Sequence, residues 1–318
     1  MYKERVLHSE ETPLKIYYTD RQGVPVAIDI TGKEGKNKLT DNSNFFCLGP
    51  SGSGKSFHMN SVVRQLHEQG TDVVMVDTGN SYEGLCEYLG GKYISYTEER
   101  PITMNPFRIN REEYNIEKID FLKNLILMIW KGSDSQIPEI EFRIVEQIII
   151  DYYDAYFNGF TRYTDEQREV LRKQIEVLEA RRAALKVSEL NFNSFFDYSF
   201  DRLEQICTEN DITTISYSTY STMLQPFYKG GAYEKILNEN VDSALFDETF
   251  IVFEVDAIKE NKKLFPIVTL IIMDVFLQKM RIKKTRKVLV IEEAWKAIAS
   301  PLMAEYIKFM CAPVKVAS

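Results

Sequence analysis

One segment near the N-terminal end has the residue types and the spacing of a phosphate-binding loop. The segment that matches GxxxxGK[ST] at every fixed position is Gly49-Pro50-Ser51-Gly52-Ser53-Gly54-Lys55-Ser56. Glycines permit unusual backbone dihedrals and close approach, so successive N–H groups can point at one phosphate. Lys55 supplies a point charge for the β- and γ-phosphates, and the Ser56 hydroxyl is a hard oxygen ligand for Mg²⁺. The pattern predicts that residues 49–56, with Phe57, bind ATP and Mg²⁺.

The alternative is a glycine-rich turn that matches the pattern by accident. The surrounding sequence argues against it, because the segment lies between an apolar run, Phe45-Phe46-Cys47-Leu48, and a helical pattern over Lys55–Gln69. A strand before the loop and a helix after it are the context that such a loop needs, since the N-terminal end of the helix attracts phosphate.

Two adjacent carboxylates near residue 290 could supply the rest of the chemistry. Glu292 and Glu293 directly follow the apolar run Val288–Ile291. Hydrolysis needs one acidic group near Mg²⁺ and a second one that orients and deprotonates water. We assign Glu292 to the metal shell with Ser56, and Glu293 to the base, so that Glu293 and Lys55 are the predicted catalytic residues. The alternative is a solvated acidic loop after a core strand.

The elements around these motifs predict an α/β fold. Apolar runs at Phe45–Leu48 and Val73–Val76 are typical of strands buried on both faces, and the helix Lys55–Gln69 separates them. This order predicts a parallel sheet with a right-handed crossover. Strand signals return at Phe250–Val255 and at Val288–Ile291. Two further short strands, at 14–18 and 26–30, flank a turn before the loop.

The middle of the chain reads as helical. Apolar stripes cover 117–130 and 137–157, and the segment 165–186 opens with Thr164 and Gln167 at capping-box spacing. We therefore predict a P-loop core interrupted by an all-α insertion. The expected division is residues 1–111 for the N-terminal strands and the first part of the core, 112–247 for the insertion, and 248–318 for the second part. An insertion of this size explains the long separation of Lys55 from Glu292.

Composition excludes several other classes of protein. The 318 residues carry 39 Lys and Arg against 47 Asp and Glu, a net charge of −8, which does not suit a bulk nucleic-acid coat. The four cysteines form no CxxC and the three histidines no HExxH, which excludes zinc-ribbon and zinc-protease motifs. We find no secretory signal, and the apolar run 264–277 is too short and too broken to span a bilayer. A cytosolic protein is expected.

Three weaker signals have two interpretations each. Asp77 ends a strand, and either lies near the nucleotide or only forms a turn. The basic run from Lys279 to Lys287 either contacts DNA or another subunit, or is a solvated helix end. The aromatic residues between Phe192 and Phe200 either stack on bases or, more commonly, pack in a core.

Five sequence segments occur together in one order. They are Gly49–Ser56, Asp77-Thr78-Gly79-Asn80-Ser81-Tyr82, Met104-Asn105-Pro106-Phe107, Phe227-Tyr228-Lys229-Gly230-Gly231-Ala232-Tyr233 and Glu292-Glu293-Ala294-Trp295. This set closely resembles the TraG-type conjugation ATPases of Bacteroides-like conjugative elements, the energising ATPase family of type IV secretion systems. The resemblance extends from about residue 14 to about residue 310.

The resemblance implies a RecA-like motor domain with an all-α subdomain, ATP hydrolysis and a homo-oligomer, expected to be a hexamer. It implies a place in the bacterial cytoplasm, peripheral at the inner membrane through secretion-channel proteins, with weak or indirect DNA contact. It carries the nucleotide role to Lys55 and Ser56 and the acidic roles to Glu292 and Glu293.

The sequence departs from the family pattern in two ways. Many relatives have Asp where this chain has Glu292. Family members also continue past the acidic strand, whereas the residues from Cys311 do not match that continuation. We therefore expect a truncated chain with an incomplete catalytic apparatus. Two alternatives stay open: a DNA-translocating coupling-type motor of the same superfamily, and a nucleotide-binding assembly subunit that hydrolyses little.

Overall fold

A small β-hairpin begins the part of the chain that the structure describes. The computed structural model describes residues 15–29, 43–157, 187–282, 284–298 and 300–311. Strands β1 (Ile16–Thr19) and β2 (Pro25–Ile28) pair antiparallel around the predicted turn. The Asp20 carboxylate closes this turn, since it accepts the backbone N–H groups of Gln22 and Val24.

A four-stranded parallel sheet forms the centre of the fold. Its strands are β3 (Asp72–Asp77), β4 (Lys92–Ser95), β5 (Phe250–Glu254) and β6 (Lys287–Ile291), in the order β4-β5-β3-β6. The predicted α/β fold with a parallel sheet is confirmed, although β4 was not recognised in the sequence. In this register Asp77 lies opposite Glu254, and Val76 lies opposite Ile291. The residues that follow these strands therefore meet at one edge of the sheet.

Helices α1 (Lys55–Glu68) and α2 (Glu83–Tyr88) cover one face of this sheet. An apolar cluster joins them to β3 and β5 and includes Met59, Val63 and Cys86. The hairpin is tied to α1 through Gln65, whose side-chain oxygen accepts the backbone N–H of Tyr17 at 2.7 Å.

The other face carries the helical part of the chain. It contains α3 (Ile116–Lys131), α4 (Glu139–Phe157), α5 (Phe192–Glu209), α6 (Tyr217–Leu224) and α7 (Glu234–Asn238). One large apolar core unites these helices with the sheet, and the buried aromatic residues of α5 belong to it. Core packing therefore accounts for that aromatic segment. The predicted helix 165–186 lies outside the described residues, and the three-part domain division stays a prediction.

Three further helices complete the fold. Helix α8 (Leu264–Ile282) is buried over most of its length against the sheet and the helical part. Helices α9 (Ala294–Ile298) and α10 (Pro301–Cys311) follow β6. Among the described residues, no helix combines the length and the apolar character that a membrane span requires.

The predicted buried strand Phe45–Leu48 is wrong. Residues 44–50 form no regular structure, and the side chains of Phe46 and Leu48 are 64% and 80% exposed. An apolar run becomes a buried strand only where a neighbouring strand accepts its hydrogen bonds. In the described sheet β6 is one of the two edge strands, and its side chains are only half-buried.

A buried ion pair joins the helical part to the sheet layer. Lys118 of α3 and Asp274 of α8 lie 2.6 Å apart, nitrogen to oxygen, and both side chains are almost fully buried. Gln278 donates a second hydrogen bond to Asp274 at 3.0 Å. A buried pair of this kind contributes little net stability, but either partner left alone is costly because its charge is uncompensated.

Replacing Lys118 by Met should therefore lower the free energy of unfolding by about 3–5 kcal/mol, because Asp274 loses its buried partner. The double variant Lys118→Met/Asp274→Leu should recover most of that loss. The control is Arg64→Met, which breaks an exposed ion pair with Glu68 and should change stability by less than about 1 kcal/mol. Urea unfolding monitored by circular dichroism measures all three, and equal losses in Lys118→Met and Arg64→Met would contradict this account.

Candidate functional site

The predicted phosphate-binding loop runs directly into the N-terminal end of α1. Gly52 and Gly54 have φ angles of 76° and 86°, in the left-handed region that glycine adopts without strain. Ser53 N–H donates to the carbonyl of Pro50 at 3.2 Å, which closes the turn. The helix starts at Lys55, and the N–H groups of its first turn have no intrahelical acceptor. The loop therefore has the backbone form and the free amides of an anion site.

The Lys55 side chain lies over this loop. Its ammonium donates to the carbonyl oxygens of Gly49 at 2.8 Å and of Pro50 at 3.0 Å. A phosphate oxygen would be a stronger partner than either carbonyl, because both donor and acceptor would then be charged. Phe57 lies in the first turn of α1, and its side chain is exposed.

Glu292 lies where β6 meets the loop. Its backbone N–H donates to the carbonyl of Val76 at 2.9 Å, which extends the pairing of β6 with β3. Its carboxylate accepts the Tyr82 hydroxyl at 2.6 Å, and the Ser56 side chain lies near enough to influence the pKa of this carboxyl. The structure thus brings together two predicted site residues, Ser56 and Glu292, that are far apart in the sequence.

Burial is the main cause that raises the pKa of Glu292, and the nearby Asp77 charge adds to it. The hydrogen bonds from Tyr82 and Ser56 act in the opposite direction, because they stabilise the carboxylate. Burial and the bond to Glu292 in turn raise the pKa of the Tyr82 phenol well above its ordinary value. At neutral pH the Tyr82 hydroxyl is therefore the hydrogen-bond donor.

Glu293 has a different environment from its neighbour. It is exposed, and its φ angle of 51° lies in the left-handed region, which is uncommon for a residue with a side chain. Its carboxylate accepts the indole N–H of Trp295 at 2.6 Å, and its carbonyl accepts the N–H of Lys296 at 2.8 Å. The two glutamates diverge, one toward the loop serine and one toward solvent.

Asp77 shapes the segment that carries Tyr82. Its carboxylate is buried and accepts the backbone N–H groups of Gly79, Ser81 and Tyr82 at 3.1, 2.8 and 3.2 Å. Asn60 of α1 holds the same segment through the carbonyl of Ser81 at 3.1 Å. These contacts favour the turn-forming interpretation of Asp77.

A second carboxylate cluster lies at the end of β5. Glu254 accepts the backbone N–H groups of Asn80 and Asp256 at 3.0 and 2.7 Å, and the Tyr93 hydroxyl at 3.2 Å. Burial raises the pKa of Glu254 to about 7, and the charge of Asp77 contributes in the same direction. This carboxyl therefore titrates near neutral pH.

Sequence reasoning missed four side chains of this region: Tyr82, Tyr93, Glu254 and Trp295. Tyr82 and Trp295 lie within segments of the family pattern; the acceptor of Tyr82 is the distant Glu292, whereas that of Trp295 is Glu293, two residues earlier. In the sequence, Glu254 only marks the end of an apolar run, and no pattern indicates a role for Tyr93. Burial and parallel register, which no local pattern gives, make Tyr82 and Glu254 part of the site.

Lys279 and Arg281 of the basic run before β6 have partners within the chain, whereas Lys284 and Arg286 are exposed. Lys279 is fully buried, and its ammonium donates to the carbonyls of Phe246 and Glu248. Arg281 pairs with Glu117 at 2.6 Å. For Lys279 and Arg281, these contacts count against a role in a free cationic patch for DNA.

Glu254→Gln should change how stability depends on pH. The pKa of Glu254 is raised from 4.5 to about 7 in the folded chain, so folded chains bind more protons than unfolded ones between these values. Because of this group, the free energy of unfolding decreases as the pH rises through this window. From about pH 5 to about pH 8 the parent should lose more stability than Glu254→Gln, which cannot titrate. Thermal unfolding across that range measures the difference, and parallel curves would contradict the raised pKa.

The fold resembles that of a solved VirB4 structure. The structure of VirB4 of Thermoanaerobacter pseudethanolicus superposes with a TM-score of 0.61 at 21% sequence identity, over 95% of this chain and 72% of that chain. At this level of identity, the likeness shows the fold.

A relative found by sequence comparison is also named VirB4. The type IV secretion system protein virB4 of Bartonella henselae (strain ATCC 49882 / DSM 28221 / CCUG 30454 / Houston 1) is 23% identical over 259 residues, which cover 81% of this chain. The matched region is 27% of that protein, so this chain spans about a quarter of the length of its relative.

A family model covers nearly the whole chain. The model of the TraG P-loop domain matches residues 15–316, a range that contains the loop, the helical part and both glutamates. The chain therefore belongs to the TraG P-loop domain family.

Proposed function

We propose that this chain is the ATP-binding motor part of an ATPase that powers conjugative transfer or type IV secretion. The observation that carries the proposal is the position of Glu292, which extends the pairing of β6 with β3 and lies near enough to Ser56 for that side chain to oppose the rise in its pKa. It unites a complete phosphate-binding loop with an acidic strand end, which is the arrangement that a nucleotide with its metal requires. Membership of the TraG P-loop domain family and the VirB4 relatives support the secretion role.

The residues at this position fit Mg²⁺. Ser56 and Glu292 offer a hydroxyl and a carboxylate oxygen, which are the hard ligands that Mg²⁺ prefers. Among the described residues no cluster of three His, Cys, Asp or Glu side chains could hold a metal alone, which suits an ion that takes its other ligands from phosphates and water. When bound, Mg²⁺ would neutralise charge on the β- and γ-phosphates.

The remaining roles follow from position and exposure. The unpaired backbone N–H groups of the loop and of the first turn of α1, together with the Lys55 ammonium, hold the phosphates. Glu293 directly follows Glu292, is exposed and is oriented by Trp295, so we assign to it the activation of the attacking water. Removing such a general base typically costs a hundred- to ten-thousandfold in rate.

The assembly is part of the same proposal. A homo-oligomer, of hexamer type, would act at the cytoplasmic side of the bacterial inner membrane and would contact secretion-channel proteins there. Family membership supports this assignment. Direct DNA translocation has less support, because Lys279 and Arg281 of the basic run are engaged within the chain.

Lys55→Ala should lower the affinity for ATP about a hundredfold, because it removes the charged partner of the phosphates. The matched control is Lys229→Ala, an exposed lysine in the helical part, which should bind as the parent does. Titration of a fluorescent ATP analogue measures both affinities. Equal affinity for Lys55→Ala and the parent would refute the assignment of the loop.

In a parent ATPase with a complete catalytic apparatus, Glu293→Gln should keep the ATP affinity and reduce hydrolysis by a hundredfold or more, because the amide cannot accept a proton from water. The control is Glu68→Gln, an exposed residue at the end of α1, which should change neither quantity. Phosphate release at saturating nucleotide is compared with ATP affinity for each protein. Undiminished hydrolysis would move the base to another residue, with Glu292 next in order.

A further inference from the structure

We infer that Tyr82 is a positioning residue that fixes the Glu292 carboxylate for the metal–nucleotide complex. This inference rests on the proposed function, in which Glu292 belongs to the Mg²⁺ shell. The hydroxyl of Tyr82 donates to Oε1 of Glu292 at 2.6 Å, a short bond to an ionisable acceptor. Tyr82 does not itself reach the phosphates in this role. It acts through Glu292.

Tyr82 is held firmly enough to place its hydroxyl. Its side chain is fully buried in the apolar cluster beneath α1, together with Met59 and Val62. Its backbone N–H donates to Asp77 at 3.2 Å, and its carbonyl accepts the N–H of Cys86 at 2.8 Å. The ring and the backbone are thus fixed independently of Glu292.

Glu292 gains from such a fixed donor. A glutamate side chain has three rotatable torsions, and restricting them on metal binding costs free energy. A donor that already holds one carboxylate oxygen removes part of that cost and orients the other oxygen. The Ser56 hydroxyl, the other partner of this carboxylate, belongs to the phosphate-binding loop itself. Tyr82 is therefore the partner that stays in place when Ser56 turns to the metal.

The chain contains a matched control, Tyr93, on β4. Tyr93 also donates its hydroxyl to a glutamate at a strand end, Glu254, at 3.2 Å, and to Asn80 at 2.5 Å. It differs from Tyr82 in having no bond to Glu292. A phenylalanine substitution at either position removes one hydroxyl and keeps the ring.

The experiment compares the parent, Tyr82→Phe and Tyr93→Phe by titration of a fluorescent ATP analogue, first in EDTA and then with increasing Mg²⁺. Tyr82→Phe should bind the analogue in EDTA as the parent does, because Lys55 and the loop amides are intact. The Mg²⁺ concentration for half-maximal effect should rise about tenfold, as for other residues that orient a metal ligand. Tyr93→Phe should resemble the parent in both titrations.

A double-variant cycle separates positioning from general support. Glu292→Ala should itself weaken the response to Mg²⁺, and adding Tyr82→Phe should then have no further effect, because the group through which it acts is gone. Thermal unfolding of each variant is measured alongside.

Three outcomes would overturn the inference. One is an unchanged Mg²⁺ response in Tyr82→Phe, which leaves the proposed function standing if the parent responds to Mg²⁺. Another is an equal loss of binding in EDTA and in Mg²⁺ with a lowered melting temperature, which assigns Tyr82 a structural role only. The third is the absence of nucleotide binding by the parent, which refutes the proposed function as well.

Discussion

Parallel pairing of β3 with both β5 and β6 is the constraint on which the site depends. It places the carboxyl ends of three strands at one edge of the sheet, so that Asp77, Glu254 and Glu292 meet there. Three carboxylates in a partly buried place repel one another, and burial raises the pKa of two of them. The arrangement is tolerable because backbone amides and phenol hydroxyls donate to the carboxylates and offset part of their desolvation.

The donors themselves come from the chain that follows β3. Asp77 accepts three backbone N–H groups of the segment 79–82, and this brings Tyr82 to Glu292 and Asn80 to Glu254. One turn therefore supplies a donor to each of the two neighbouring strand ends. A change in that turn would act on both carboxylates, although it lies outside the phosphate-binding loop.

Much of this arrangement could be predicted from the sequence, since its signals are local. The loop pattern, the acidic pair after an apolar run and the α/β order with a parallel sheet each need only a few neighbouring residues. The strand predicted at Phe45–Leu48 is wrong because a strand also needs a neighbouring strand for its hydrogen bonds, and an apolar run does not indicate whether one is present. Lys279 is not a surface charge, because its ammonium is buried and donates to backbone carbonyl groups. The roles of Tyr82 and Tyr93 could not be predicted from the sequence, since the glutamates that accept their hydroxyl groups belong to distant strand ends.

The two adjacent glutamates show how environment divides one residue type between two kinds of work. Glu292 is half-buried, restrained by hydroxyl donors and turned toward the loop serine, as suits a group that must keep its position beside a cation. Glu293 is exposed, and a single indole N–H holds it above a left-handed backbone turn. That positive φ reverses the chain direction directly after β6 and starts α9. The strand end thus separates the two carboxylates in space, which allows one to remain fixed while the other exchanges its partner with water.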